Sequence, residues 1–98
     1  MDMQNHLMAI TNWIINDLKS NSIRAVEAIW NENENTAVLS FYINGNIAEE
    51  ELENISVASA EIIAHCSNGL LKENYIRWDY PKPLPEKVFA YQKEESFE

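Results

Sequence analysis

The run from Asn46 to Gly69 constrains the fold more than any other stretch, because it holds a helix's start, stripe and stop together. Asn46 is placed to cap the first turn, and Glu49 three residues on to reach back toward it as in a capping box. Glu49, Glu50 and Glu51 then fall where the positive end of the helix dipole favours carboxylates. Leu52, Ile55, Ser59, Ile62 and Cys66 recur at three- and four-residue steps, with Ala48, Ala58 and Ile63 widening the stripe. Gly69 is the expected left-handed exit. One face of this helix must lie on a sheet. The other carries acid, with no Lys or Arg between Gly45 and Leu71.

The rest of the chain supplies that sheet. Met3, Leu7, Ile10, Ile14 and Leu18 form an earlier helical stripe through residues 3–20, flanked by Met8 and Trp13 and stopped at Asn21-Ser22. Ile23 to Trp30 is rich in Ile, Val and Trp and predicts a strand. Asn31-Glu-Asn-Glu-Asn35 predicts a turn, and Thr36 to Asn44 a second strand. In that second strand Ala37, Leu39, Phe41 and Ile43 share one face, and Thr36, Val38, Ser40 and Tyr42 the other. A third strand is expected at Tyr75–Tyr80. Pro81, Pro83 and Pro85 forbid regular pairing in the connection that follows. Val88, Phe89 and Tyr91 allow a final strand to about Gln92, and residues 93–98 should fray. The expectation is an α+β fold of order αββαββ: a four-stranded antiparallel sheet with both helices packed on one face.

A chain of 98 residues is one domain, and 46% apolar content with ten aromatics is enough for a core. Sixteen acidic against seven basic residues give a formal charge of −9. Nucleic acid and anionic membranes would repel such a chain, so the charge points to a basic protein partner or to solubility alone. The single cysteine, Cys66, cannot form an internal disulfide, which suits a reducing cytoplasm. Neither a leader nor an apolar run of the ~20 residues a membrane span needs is visible. A monomer or weak dimer is expected.

Catalytic equipment is missing from the pattern. His65 and Cys66 are adjacent on a helix, so their side chains diverge by about 100° and cannot act on one another. Cys66 falls on the apolar stripe as a small buried hydrophobe. His6 lies on another helix, and two histidines without a patterned carboxylate do not make a metal site. With only Gly45 and Gly69, there is no phosphate-binding loop, and no nucleophile elbow appears. No cofactor is expected. The candidate contacts are therefore surfaces for a protein: Glu49, Glu50 and Glu53 on the central helix, Glu32 and Glu34 on the turn, and Trp78, Asp79 and Tyr80 before the prolines. Aromatic anchors are favoured in interfaces, although Trp78 and Tyr80, like Trp30 and Tyr42, are equally suited to a core.

Three groups of residues carry a resemblance. They are the strand Ala37-Val-Leu-Ser-Phe-Tyr-Ile-Asn-Gly45, the helix Glu49-Glu-Glu-Leu-Glu…Ala60-Glu-Ile-Ile-Ala64, and the closing Ile76-Arg-Trp-Asp-Tyr-Pro81…Leu84-Pro85. The pattern is similar to small immunity proteins of bacterial toxin systems, especially those of contact-dependent growth inhibition. The resemblance implies a cytoplasmic, non-enzymatic protein that binds the C-terminal toxin domain of a sibling cell's effector. Several such toxins are nucleases acting on tRNA or DNA, and the resemblance extends to a translation factor such as elongation factor Tu as a partner reached through the toxin complex. A nuclease needs a basic surface for phosphates, and an acidic inhibitor is steered to it. From a different class comes a regulatory or adaptor domain docking a basic signalling or translation protein through the sheet edge or the proline segment. A small enzyme is the third reading. A toxin domain encoded next to the gene discriminates the first from the second, and a polar cleft discriminates the third.

Overall fold

The computed structural model describes residues 2–66 and 68–94, and its elements follow the expected order. Helix α1 spans Met3–Leu18, strand β1 Ile23–Asn31, β2 Thr36–Ile43, helix α2 Glu49–Ala64, β3 Leu70–Arg77 and β4 Tyr91–Gln92. The fold is α+β. Sheet order is β3-β2-β1-β4. β1 pairs antiparallel with β2 and with β4, whereas β3 lies parallel to β2 rather than antiparallel as expected. The reason is the connection. A parallel neighbour requires a crossover of a dozen or more residues, and α2 is that crossover.

Register fixes which side chains meet the helices. Val26, Ala28 and Trp30 stand opposite Phe41, Leu39 and Ala37, and Leu71 and Tyr75 extend this face on β3. Against it lie Leu7, Ile14 and Ile15 of α1 and Ile55, Ala58 and Ile62 of α2, so both helices cover one face. The α2 stripe is as anticipated: Ile55, Ser59, Ile62 and Cys66 are buried. Buried apolar area of this kind supplies about 25 cal/mol per Å² and dominates the stability of a chain this short.

Local details depart from the expected ones. Asn46 does not cap α2. The N-cap is Ala48, with no side-chain hydrogen bond, and the Asn46 Oδ1 instead accepts from Arg77 Nη1 at 3.0 Å. Glu49, Glu50 and Glu51 still occupy the first turn, where they complement the dipole. The left-handed residue after α2 is Asn68, with φ +55°, not Gly69. Gly69 is required for another reason: a Cβ there would stand 2.9 Å from the Trp30 ring and 3.2 Å from Ile63. Helix α1 is capped by Asp2, whose carboxylate accepts from Gln4 N, and it ends two residues early at Lys19 in the left-handed region. The third strand begins at Leu70 and ends at Arg77, five residues ahead of the expected Tyr75 start and three short of Tyr80.

The two edge strands explain the proline segment. β3 and β4 lie on opposite edges, so residues 78–90 must cross both inner strands. They do so as a strap over the face away from the helices. A bulge between Ile23 and Ala25 turns Arg24 toward this strap, where it is buried. The Arg24 guanidinium donates to the carbonyls of Trp78 at 2.8 Å and Lys82 at 2.7 Å and stacks 4.2 Å from the centre of the Tyr80 ring. Tyr42 makes edge contacts with both Trp78 and Phe89. The strap then joins β1 through Ala90 N to Val26 O. Beyond β4, Lys93 N donates to Arg24 O, so the chain is still tied where fraying was expected, and residues 95–98 of that expected tail lie outside the described residues. β4 covers only the lower part of β1. Higher up, the Gln4 side chain takes the place of a strand, donating to Ala28 O at 2.8 Å and accepting from Trp30 N at 2.7 Å.

Candidate functional site

The eight residues expected to meet a partner fall at two ends of the molecule. Glu32 and Glu34 are exposed at the tip of the β1–β2 hairpin, whose Asn31–Asn35 turn forms as expected. Glu49, Glu50, Glu53, Trp78, Asp79 and Tyr80 belong to the opposite end, where Ile43, Arg77 and the start of α2 meet. The eight residues of β2 separate the two ends by roughly 25 Å at ~3.3 Å per residue. No single patch contains them all.

Trp78, Asp79 and Tyr80 are committed to the fold. Trp78 donates its indole N–H to Pro83 O at 2.9 Å, and Lys82 Nζ lies 3.8 Å from its ring centre. Tyr80 provides the ring beneath Arg24, and its N–H donates to Asn44 Oδ1 at 2.8 Å. Asp79 accepts from Gly45 N at 2.6 Å and from Arg77 Nε at 2.9 Å. These contacts, led by the Gly45 N–H, hold its carboxyl below the usual carboxylate range. All three side chains brace the Asn44–Asn46 loop and the strap, and all are only partly exposed.

The helical layer differs. Glu51 turns inward and accepts from the hydroxyls of Ser20 and Ser22, pinning the start of α2 to the α1–β1 connection. Glu49, Glu50, Glu53 and Glu61 are exposed, as is Asp17 on α1, and none of these five has a cation partner among the described residues. The seven basic residues are Lys19, Arg24, Lys72, Arg77, Lys82, Lys87 and Lys93. Every one lies in the sheet, the strap or a connection, so the two helices contain acid and no Lys or Arg.

Two features escaped the sequence reading. Trp13 was grouped beside the α1 stripe, yet its indole is 62% exposed and makes an edge contact with His65 at 6.1 Å between ring centres. Its position off the Leu7–Ile14–Leu18 line, between Asn12 and Asn16, was the available signal. Arg24 lies within the strand expected at Ile23–Trp30, and its burial follows from the bulge, which composition does not reveal. A groove between α1 and α2 is lined by Ile14, Asp17, Leu18, Asn54, Val57 and Glu61, with Ala58 at its floor.

Three further titratable side chains are placed by their packing. Burial pushes the Cys66 thiol up, and it is fully enclosed. His65 is exposed beside it, with its carbonyl in hydrogen-bond range of His6 Nε2 at 3.0 Å. Tyr75 is pushed up to about 12 by burial and by its hydrogen bond to Glu73, and its ring stacks on Phe41. Among the described residues no three His, Cys, Asp or Glu side chains are grouped to hold a metal, and no helix is long and apolar enough to cross a membrane.

The family model described as MafI2 immunity protein matches residues 6–95, which takes in α1 from His6 onward and the strap as well as the three segments that carried the resemblance. None of the curated proteins matches the chain.

Proposed function

Because the chain belongs to the MafI2 immunity protein family, we propose that it neutralises a cognate nuclease toxin, of tRNA or DNA, by covering that toxin's basic substrate surface. The matched family is MafI2 rather than one of contact-dependent growth inhibition, so the finer part of the reading is a toxin domain delivered by a sibling cell and met in the cytoplasm. A translation factor such as elongation factor Tu is then a partner reached through the toxin complex. The observation that carries the reading is the segregation of charge: α1 and α2 present Asp17, Glu49, Glu50, Glu53 and Glu61 to solvent with no Lys or Arg among them. A surface built to hold phosphates is positive, and a uniformly negative helical layer is attracted to it and competes with the nucleic acid. Inhibition of this kind is occlusion, and it requires no reactive group from the inhibitor.

The test is co-expression with, and direct binding to, the toxin domain encoded beside the gene. Wild-type protein should protect cells and form a complex that survives gel filtration at micromolar concentration. Glu49→Lys, Glu50→Lys and Glu53→Lys together should slow association and reduce its dependence on salt while leaving the fold intact, because exposed charges act mainly on encounter rate. A wild-type chain that neither binds nor protects ends the reading.

A further inference from the structure

The groove between α1 and α2 has an internal arrangement that net charge does not describe. Its floor is apolar, made by Ile14, Leu18 and Ala58, and its lips carry one carboxylate from each helix, Asp17 on α1 and Glu61 on α2. Trp13 precedes Asp17 by one turn and His65 follows Glu61 by one turn, so each pair shares a helical face. Trp13 and His65 are in edge contact, so the two helices also meet one turn beyond the carboxylates. At the other end Leu18 and Asn54 continue into a second depression bounded by Ser20 and Glu51. On α2 the outer lip runs Glu53, Val57, Glu61 at successive turns, and Val57 is 61% exposed.

Two large apolar side chains are thus left in water on the acidic layer, one beside each carboxylate. The carboxylates are spent on nothing: neither Asp17 nor Glu61 has a hydrogen-bond or ion-pair partner among the described residues. The space is about 290 Å³ and open along its length. That is at the lower bound of enclosed small-molecule pockets, about 300 Å³, and it suits side chains projecting from another protein.

We infer that this groove is the docking surface for the toxin and that it takes an arginine side chain, with the guanidinium between Asp17 and Glu61 and against the Trp13 indole. The inference rests on the reading proposed above. Arginine fits better than lysine because its planar fork donates to two separate carboxylates and stacks on an aromatic face at the same time. Its aliphatic stem, or an apolar neighbour in the toxin segment, covers Val57 and Ile14. Aromatic residues beside desolvated charge pairs are the usual centres of binding energy in an interface, and Trp13 with Asp17 and Glu61 has that composition. Glu49, Glu50 and Glu53 then act as the outer, rate-setting part of the same surface.

The experiment measures association and dissociation of the adjacent-gene toxin domain against four forms of the full chain: wild type, Trp13→Ala, Asp17→Asn with Glu61→Gln, and Glu86→Gln with Glu94→Gln, two exposed carboxylates on the strap and beyond β4. All the changed side chains are exposed, so circular dichroism and melting should be unaltered. The groove variants are expected to weaken binding about tenfold or more, chiefly through faster dissociation. The strap variant, which removes the same charge, should stay within about twofold of wild type. Groove variants that bind like wild type overturn the groove while leaving the immunity reading standing. So does a strap variant that loses as much as the groove pair, since charge alone is then at work. Failure of the wild type itself to bind overturns both.

Discussion

Replacing Arg24 by Met is the most informative perturbation of the fold. The substitution keeps volume and apolar character but removes the guanidinium that donates to Trp78 O and Lys82 O. Hydrogen bonds to a charged group contribute about 1.5–3 kcal/mol each. A cation over an aromatic ring adds about 0.5–2 kcal/mol, and Tyr80 lies within range. The gross loss is therefore about 3.5–8 kcal/mol. It is offset by the cost of keeping a guanidinium out of water, which Met does not incur. A net loss of about 3–5 kcal/mol follows, which lowers Tm by about 12–40 °C for a domain of this size. Thermal unfolding followed by circular dichroism measures it. Arg24→Lys should recover only part of the loss, because an ammonium cannot span both carbonyls and the ring. A Met variant melting within about 5 °C of wild type would show that the strap is held by its other contacts, the Tyr42 packing and the backbone ties to Ile43 and Val26 among them, and that the Arg24 contacts are incidental.

Other outcomes follow from single contacts. Folding lowers the Asp79 pKa, so its contribution is complete above the ordinary carboxylate pKa and is lost as pH falls through the lowered value. Asp79→Asn should therefore be less stable than wild type at neutral pH, with the gap closing in acid; a gap independent of pH removes the ionic explanation. Gly69→Ala should cost about 1–3 kcal/mol by forcing the Trp30 ring or Ile63 to move, read from urea midpoints, and a neutral result would mean that Trp30 repacks freely. Cys66, enclosed and with its pKa raised, should react slowly with a thiol reagent in the native state and quickly in denaturant, and rapid native labelling would contradict its burial.

What could be read in advance was whatever repeats locally. The α2 stripe, the α1 stripe and the alternation of Ala37, Leu39, Phe41 and Ile43 each state which side is buried, and the structure buries those sides. What could not be read depends on residues far apart. Leu70-Leu71-Lys72-Glu73 has little alternation, and its place beside β2 is decided by where α2 delivers the chain. Asn46 is a good cap in isolation, but Arg77 from the neighbouring strand claims its side-chain oxygen. The same limit applied to the candidate site. Trp78, Asp79 and Tyr80 have the composition of an interface, and only the strap's path shows that Arg24, Gly45 and Lys82 already engage them. Trp13 flanks an apolar stripe, and its exposure depends on how α1 and α2 pack together, which local pattern does not state.

The strap has a consequence for time as well as for shape. Its ties to Arg24 join residues 54 and 58 positions apart, so each closes a long loop. The hairpin, the α2 crossover and β3 involve shorter separations and are complete by Arg77. Long loops lose most entropy before any contact rewards them, so the strap should dock after the rate-limiting step of folding. Interactions absent from that step leave the folding rate unchanged and set the unfolding rate instead. The last fifth of the chain then works as a latch, governing how long each molecule stays folded rather than how fast it folds.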